Sequence, residues 1–266
     1  MHHGSSEIGR AAYAEERHEQ ILHLLRSEGR VNAADLASRL EVTGETIRKD
    51  LIQLERRARL RRVHGGAVPA ASLSFEPTVS VRTEYTQEKA RIARAALRHL
   101  PSSGTIIIDA GSTTEKFASL LPADQPLTVY TNSLPIALAA VTKPAVTVFT
   151  LGGRLRSRTL AEVDELSMRT LAEINADVAF LGTNGISFER GLTTPDPAEA
   201  AIKRAMTGAA RQRILLADHS KFGEVRTCQH ATLNDIDLLI TDAGADSADV
   251  DRVREDGTEI KVIGTD

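Results

Sequence analysis

Thr43-Gly-Glu-Thr-Ile-Arg-Lys-Asp-Leu51 is the segment from which the organisation of the N-terminal part of the chain follows. Thr43 stands where a side-chain oxygen can cap a helix. Ile47, Leu51 and Leu54 recur at helical spacing and form one inward face. The outward face of this predicted helix is mostly polar and basic, with Thr46, Arg48, Lys49, Ile52 and Gln53.

The residues before this segment predict two further helices. Ile21, Leu24 and Leu25 recur at helical spacing, so a first helix is expected from Arg17 until Gly29. Asn32 then offers a cap for a short second helix with Leu36 and Leu40 as its apolar stripe. Two short helices joined tightly, the second with a basic outer face, are typical of a helix-turn-helix.

Residues 60–68 predict a β-hairpin wing, because β-prone flanks enclose Gly65-Gly66. A winged helix-turn-helix would place cations against phosphate oxygens and guanine edges of double-stranded DNA. The candidate DNA-binding residues are Thr43, Glu45, Thr46, Arg48, Lys49, Gln53, Arg61, Arg62, His64 and Gly65. The same basic residues would also suit a solvated helix face, and Arg56 and Arg57 would suit a helix C-terminus.

These motifs resemble the DNA-binding signature of the DeoR family of bacterial transcriptional regulators. The resemblance rests on residues 43–51, followed at the family's spacing by Arg62-Val-His-Gly-Gly-Ala67. Family members usually carry a second arginine where this chain has Lys49. A lysine keeps the charge without the bidentate fork, which favours a phosphate contact over base reading at that position.

Composition bounds the remaining possibilities. The chain of 266 residues has a formal net charge of -3, with 12 Lys+Arg against 10 Asp+Glu in residues 1–70 and 21 against 26 beyond. A locally basic patch on an acidic chain favours a nucleic-acid-facing module. Cys228 is the single cysteine, so no internal disulfide is expected, and neither a metal site nor a cofactor is predicted. Without a long apolar stretch or signal peptide, a cytoplasmic, nucleoid-associated protein with no membrane partner is expected.

The predicted organisation has four parts: a mobile tail over 1–16, the winged helix-turn-helix over 17–70, a linker over 71–85 and an α/β domain over 86–266. A helix over 87–100 precedes an alternation of β-rich runs and helices. The runs are Thr105–Asp109, Leu127–Thr131, Val146–Leu151, Asp177–Gly182, Arg213–Asp218, Asp237–Asp242 and Glu259–Ile263. This alternation predicts a largely parallel sheet covered on both faces.

Polar and glycine-rich turns follow several of these strands, and parallel sheets bind ligands at their carboxyl ends. A turn of small residues at a helix N-terminus is suited to an anion, lysine to phosphate, and carboxylates to sugar hydroxyls. A phosphorylated sugar is therefore the predicted effector. The candidate residues are Asp109, Gly111, Ser112, Thr113, Thr114, Thr131, Asn132, Ser133, Gly153, Arg154, Asn184, Gly185, Asp196, Glu199, Lys203 and Lys221. Lys203 would equally suit a helix surface.

This larger part also resembles the DeoR sensor domain, through the strings DAGSTT, TNS, LGG, GTNGI and ADHSKFG in order. The resemblance implies a fold like ribose-5-phosphate isomerase and a repressor that sugar phosphates release. Residues 191–197 are similar to actinobacterial regulators of fructose uptake, which implies fructose 1-phosphate as the first effector to test. Many members have a glycine-containing turn where this chain has Ala161-Glu-Val-Asp164, and two added carboxylates there would disfavour a second phosphate.

The leading interpretation is a repressor of a carbohydrate-utilisation operon that binds operator DNA as a homodimer or homotetramer, since one small module reads few base pairs. A sugar-phosphate isomerase with an accessory domain is an alternative. Asn184 cannot serve there as a general base, although Asp109, Asp196 and Glu199 remain candidate carboxylates. A regulator controlled by a protein partner is the third interpretation.

Overall fold

The computed structural model describes residues 5–28, 31–57, 59–63, 65–69 and 85–264, without the side chains of 5–13, 15, 26 and 27. The chain divides into two compact units, Met1–Phe75 and Glu76–Asp266, and the division falls within the predicted linker. None of the described helices has the apolar length that a membrane span requires.

The described part of the first unit contains three helices and a small sheet. The helices are α1 (Ser5–Glu28), α2 (Ala33–Arg39) and α3 (Gly44–Arg56); the strands are β1 (Val31–Asn32), β2 (Leu60–Val63) and β3 (Gly66–Pro69). The strands pair antiparallel in the order β1-β3-β2, so β2 and β3 form the predicted wing. This arrangement confirms the winged helix-turn-helix.

The first helix starts earlier than predicted. Residues 5–16, assigned to a mobile tail from the sequence, continue α1 without a break. Alanine and glutamate make up half of this stretch and both favour helix, so the segment extends the packed part of α1 that follows it. Residues 1–4 lie outside the described part.

Apolar burial joins the three helices to the wing. Ile21, Leu36, Ile47 and Leu54 are at most 2% exposed and share one core with Leu60 of β2. Each such side chain contributes about 1.5–3 kcal/mol relative to an exposed one.

The join between β1 and the wing depends on Gly66. A Cβ there would lie 1.9 Å from the Val31 carbonyl oxygen, so only glycine allows β3 to approach β1 this closely.

The second unit is an α/β domain. Its helices are α4 (Thr86–Ala96), α5 (Ser112–Ser119), α6 (Leu134–Ala140), α7 (Glu165–Ala172), α8 (Pro197–Gly208) and α9 (Ser247–Glu255). Its strands are β4 (Gly104–Ile108), β5 (Leu127–Thr131), β6 (Val146–Thr150), β7 (Arg154–Arg156), β8 (Ala161–Val163), β9 (Ala176–Leu181), β10 (Gly185–Ser187), β11 (Gly191–Thr194), β12 (Ala210–Leu216), β13 (Cys228–Ala231), β14 (Leu238–Asp242) and β15 (Glu259–Ile263). A short 3₁₀ helix, Leu97–His99, follows α4, where a continuous α-helix to residue 100 was expected.

Seven strands form one parallel sheet in the order β15-β14-β12-β9-β4-β5-β6. They correspond, within a few residues at their ends, to the seven predicted runs, and the α/β class is confirmed. Neighbouring residues of β4 face opposite sides: Ile106 and Ile108 pack in one core, Ile107 in the other. The first core includes Phe117 of α5, and the second includes Ile202 of α8.

The direction in which strands are added reverses near the centre of this sheet. In chain order, β4 is the first strand of this sheet. β5 and β6 follow on one side of it, and β9, β12, β14 and β15 then follow on the other side. The connections after β4 and β9 therefore leave in opposite directions at the carboxyl ends of these two strands. Such a reversal point is where open parallel sheets bind ligands.

Two small antiparallel sheets were not predicted. β7 pairs with β8, and β10, β11 and β13 form a three-stranded sheet beside the main one. The unusual segment 161–164 supplies β8, and Ala161 also bridges to Ser133 at the end of β5. This segment is therefore part of the structure around the carboxyl edge.

Candidate functional site

The outward face of α3 is the candidate DNA-binding surface. Thr43 caps the helix, because its hydroxyl oxygen accepts from the Thr46 backbone N–H at 3.2 Å. Arg48 and Lys49 are exposed, and the Arg48 guanidinium lies 3.9 Å from the Glu45 carboxylate on the preceding turn. Gln53 and Glu45 are exposed on the same helix and Thr46 is half-buried, so this arrangement follows the prediction from periodicity.

An ion pair between Arg62 and Glu55 links the wing to α3. Arg62 donates to Glu55 through its backbone N–H at 2.8 Å and through Nε at 2.7 Å. Arg61 is half-buried, and Gly65 has a φ of 78°, which a glycine adopts without strain at the tip of the wing. His64, also predicted to contact DNA, lies outside the described residues.

Asp50 joins α3 to α1, a role that was not predicted from the sequence. It is 4% exposed, and its carboxylate accepts from Arg17 at 2.6 and 3.0 Å and contacts His18 Nε2 at 3.1 Å. Asp50 lies on the same face as Ile47 and Leu54, so its position in the helical repeat was a usable signal. Its charge is compensated by α1 and does not oppose the basic outer surface.

Asp109 and Lys203 form a buried ion pair at the reversal point of the main sheet. Asp109, directly after β4, is 0% exposed; Lys203 of α8 is 4% exposed and donates to its Oδ2. The same oxygen accepts from Gly182 N–H at 2.9 Å, and Lys203 also donates to the Gly182 carbonyl at 3.1 Å. Burial raises the pKa of Asp109, and Lys203 opposes that rise. Both were predicted to bind effector; the structure shows them joining β4, β9 and α8.

The N-terminus of α5 provides backbone donors beside this pair. Gly111 precedes the helix and has no side chain to cap it. Thr114 turns its hydroxyl back onto the Gly111 carbonyl at 2.9 Å, while Ser112 is half-buried and Thr113 is 8% exposed. The first N–H groups of a helix lack intrahelical partners and favour an anion. The phosphate-binding role of this turn stays a prediction.

The predicted residues at the ends of β5 and β6 chiefly stabilise neighbouring loops. Asn132 is buried and accepts from Ala110 N–H at 2.9 Å, which orders the turn before α5. Thr131 accepts from Ser133 N–H at 3.1 Å, and Ser133 caps α6. A Cβ on Gly153 would lie 2.3 Å from the Val163 carbonyl oxygen, so this glycine allows the backbones to approach closely. These residues position the edge of the sheet.

Arg156, rather than the predicted Arg154, joins the buried charges. Arg156 contacts Asp196 at 3.0 Å and also pairs with Glu199, which is 5% exposed. Arg154 is exposed and pairs with Asp164 at 2.7 Å. Asp196 itself caps α8 by accepting from the N–H groups of Ala198 and Glu199.

The remaining predicted residues lie on the turns after β9 and β12. Asn184 accepts from the Thr194 hydroxyl at 2.9 Å, and a Cβ on Gly185 would lie 2.2 Å from the Glu224 carbonyl oxygen. Lys221 is 30% exposed, with Nζ donating to Ser220 at 3.1 Å and lying 4.0 Å from Asp218.

His230 belongs to the same neighbourhood and was not predicted. It is 2% exposed, and its Nε2 lies 3.2 Å from the Thr183 hydroxyl. Burial lowers the pKa of His230 well below its ordinary value, and the charges of Lys203 and Arg204 lower it further. The ring is therefore neutral near pH 7.

This edge of the sheet combines a helix N-terminus, hydroxyls, a partly exposed lysine and carboxylates. Lys203 and Arg156 are paired with internal carboxylates, whereas Lys221 is partly exposed. Within the described residues, no group of three or more His, Cys, Asp or Glu is placed to hold a metal ion.

Family models match both units. Residues 17–72 match the DeoR-like helix-turn-helix domain, and residues 84–243 match the DeoR C-terminal sensor domain. These matches agree with the two modules seen in the fold.

Curated relatives match along most of their length. The chain is 33% identical over 229 residues to the uncharacterized HTH-type transcriptional regulator FruR of Bacillus subtilis (strain 168). The aligned region covers 86% of this chain and 91% of that protein. It is 32% identical over 228 residues to the glycerol-3-phosphate regulon repressor of Escherichia coli (strain K12), with coverages of 86% and 90%. Among solved structures, ribose 5-phosphate isomerase A from Methanocaldococcus jannaschii aligns over 51% of this chain and 54% of that chain, with 17% identity and a TM-score of 0.37.

Proposed function

Because the chain belongs to the DeoR family of transcriptional regulators, we propose that it represses a carbohydrate-utilisation operon and is released from operator DNA by a phosphorylated sugar. The observation that carries this proposal is the outward face of α3. Arg48 and Lys49 are exposed there, and a capped helix N-terminus precedes them. Cations at that position can meet phosphate oxygens and base edges in a major groove.

The effector would bind at the carboxyl ends of β4 and β9. The α5 N-terminus and Lys221 suit its phosphate, and the carboxylates around α8 suit its hydroxyls. Fructose 1-phosphate is the first candidate. The uncharged fructose ring would lack the group that α5 and Lys221 recognise, so unphosphorylated fructose should not compete.

The test begins with selection of binding sites from random double-stranded DNA by the purified full chain. Fluorescence anisotropy on the selected DNA then follows release by fructose 1-phosphate, fructose 6-phosphate, glucose 6-phosphate, glycerol 3-phosphate, inorganic phosphate and fructose. We expect enrichment of a site with two related half-sites, because the protein would bind as a homodimer or homotetramer. We also expect one sugar phosphate to release it. Selection without any enriched site would contradict the proposal.

Lys221→Ala tests the effector part separately. We expect the variant to bind the selected DNA like wild type and to lose release by the active sugar phosphate. Lys116→Ala, on α5 outside the predicted site, is the matched control. An unchanged response of the Lys221 variant would remove this residue from the effector site.

Two other interpretations predict different results. A sugar-phosphate isomerase would turn over ribose 5-phosphate above a heat-inactivated control, and Asp109 and Glu199 are the carboxylates near Lys203 for such chemistry. One oxygen of each carboxylate is already paired, Asp109 with Lys203 and Glu199 with Arg156, which favours a binding role. A regulator controlled by a protein partner would show enriched DNA that no sugar phosphate releases.

A further inference from the structure

The two edges of the seven-stranded sheet differ in charge. At one edge, β15 carries Glu259 and Lys261. At the other, β6 reads Val-Thr-Val-Phe-Thr and contains neither a charge nor a proline. An edge strand exposes unpaired backbone donors and acceptors, and charged side chains are the usual protection against pairing with another chain. By this criterion β15 is protected and β6 is open.

Exposed apolar side chains lie on both sides of β6. On α6, Leu138 is 70% exposed and Val141, which follows the helix, is 62% exposed. Phe149 of β6 is 46% exposed and stacks on Tyr130 of β5, in the layer that belongs to the opposite core. Leu166 of α7 is 54% exposed and lies against Gly152, directly after β6.

The sequence around β6 has very few charges. Residues 131–153 contain one charged side chain, Lys143, although 26% of the whole chain is charged. Depletion of charge together with exposed leucine, valine and phenylalanine is typical of the centre of an interface.

We propose that β6, with Leu138, Val141, Phe149 and Leu166 around it, binds the same surface of a second copy of this chain, with the two β6 strands antiparallel. A twofold axis brings each residue close to its own counterpart, so a charge near the axis would repel itself. A strand without charges meets this condition. Two antiparallel edge strands also satisfy each other's backbone groups. The purpose of the pairing rests on the proposed function, because two copies would supply the two half-sites of an operator.

The experiment measures the mass of the full chain in solution by sedimentation equilibrium. Thr147→Lys places a charge on β6, and Leu138→Glu places one on the exposed face of α6; both positions are exposed, so the core remains intact. Val262→Lys makes the same kind of change on β15, where the side chain is 40% exposed, and is the matched control. Circular dichroism verifies that each variant is folded.

We expect the wild type to be a dimer or a larger even assembly, and both variants to associate at least about 100-fold more weakly, because like charges facing each other across an interface are costly. The control should keep the wild-type mass. A monomeric wild type at ~50 µM, where a dimer with a dissociation constant of about 1 µM would be mostly associated, would overturn the proposal. So would folded variants that keep the wild-type mass, or an equal loss of mass in Val262→Lys. The measurement uses neither DNA nor sugar phosphate, so failure of the proposed function would be seen separately.

Discussion

The two modules place the same kinds of charged residue in opposite environments. In the DNA-binding module Arg48 and Lys49 are exposed on α3. In the sensor, Lys203 is buried against Asp109, and Arg156, whose side chain is 12% exposed, pairs with the buried Glu199. An exposed cation costs the fold little and can exchange its counterions for a polyanion. A buried cation belongs to the fold, since its removal leaves an uncompensated carboxylate.

The largest effect should come from breaking the buried pair of the sensor. Asp109→Ala leaves Lys203 buried without its carboxylate, and we expect the free energy of unfolding to fall by about 3–5 kcal/mol. Urea denaturation followed by circular dichroism measures it. The double variant Asp109→Leu with Lys203→Met should recover most of the loss, because an apolar pair of similar volume has no charge to compensate. A loss below about 1 kcal/mol in Asp109→Ala would place this pair with ordinary surface ion pairs.

Removing an exposed cation should weaken DNA binding and leave the stability of the fold unchanged. We expect Arg48→Ala to weaken binding of the selected DNA by about 1–3 kcal/mol if Arg48 contacts a base. Unfolding stability should stay within about 0.5 kcal/mol of wild type. Anisotropy titrations at several salt concentrations measure the affinity, with Arg56→Ala at the end of α3 as the control. Equal affinities of wild type and Arg48→Ala would mean that α3 is not the recognition helix.

Acidification should affect the sensor through His230. Burial lowers the pKa of His230, with Lys203 and Arg204 adding to the effect, so the unfolded chain binds its proton at a higher pH than the folded chain does. Stability should therefore decrease as pH falls below about 6.5, the ordinary histidine pKa. His230→Gln should reduce this slope, whereas His23→Gln, exposed on α1, should not. Melting temperatures between pH 7 and pH 5 report both; a parallel decline in wild type and His230→Gln would exclude His230 as the cause.

The smallest effect is expected at the exposed pair of the sensor. Arg154 and Asp164 are 61% and 44% exposed in their side chains, so solvent screens their attraction. Arg154→Ala should change the unfolding free energy by less than about 1 kcal/mol. Arg156→Ala should cost more, because Glu199 would remain buried without a cation. Reversal of that order in urea denaturation would show that burial is not what separates the two arginines.

The elements that were predicted correctly are those with a regular hydrophobic pattern in their own sequence. Strands of a parallel sheet covered on both faces are continuous apolar runs, so β4, β5, β6 and β9 were found near their observed bounds. The outward face of α3 followed from helical periodicity in the same way. β7, β8 and the sheet of β10, β11 and β13 are short, and they depend on tertiary contacts that no local repeat contains.

The charged site was harder to predict because its partners are distant in sequence. Asp109 meets Lys203 across a separation of 94 residues, and Arg156 meets Glu199 across 43. Residue types at the strand ends identified the first pair as members of one edge, without indicating that they bind each other. Nothing in the local sequence distinguishes Arg156 from Arg154, since both lie on β7. Asp50 is different, because it was not predicted to be buried although its helical spacing with Ile47 and Leu54 was a sufficient signal.

The interior position of β4, between β9 and β5, also has a consequence during synthesis. β4 is the first strand of the main sheet to leave the ribosome, yet one of its two neighbours is β9, made much later. At about 5–20 residues per second, the 94 residues between Asp109 and Lys203 take about 5–19 s to translate. During that time β4, β5 and β6 can pair while Asp109 has no cation to join. The nascent sensor must therefore keep this carboxylate hydrated, and the centre of its sheet closes only when the second half of the domain has been made.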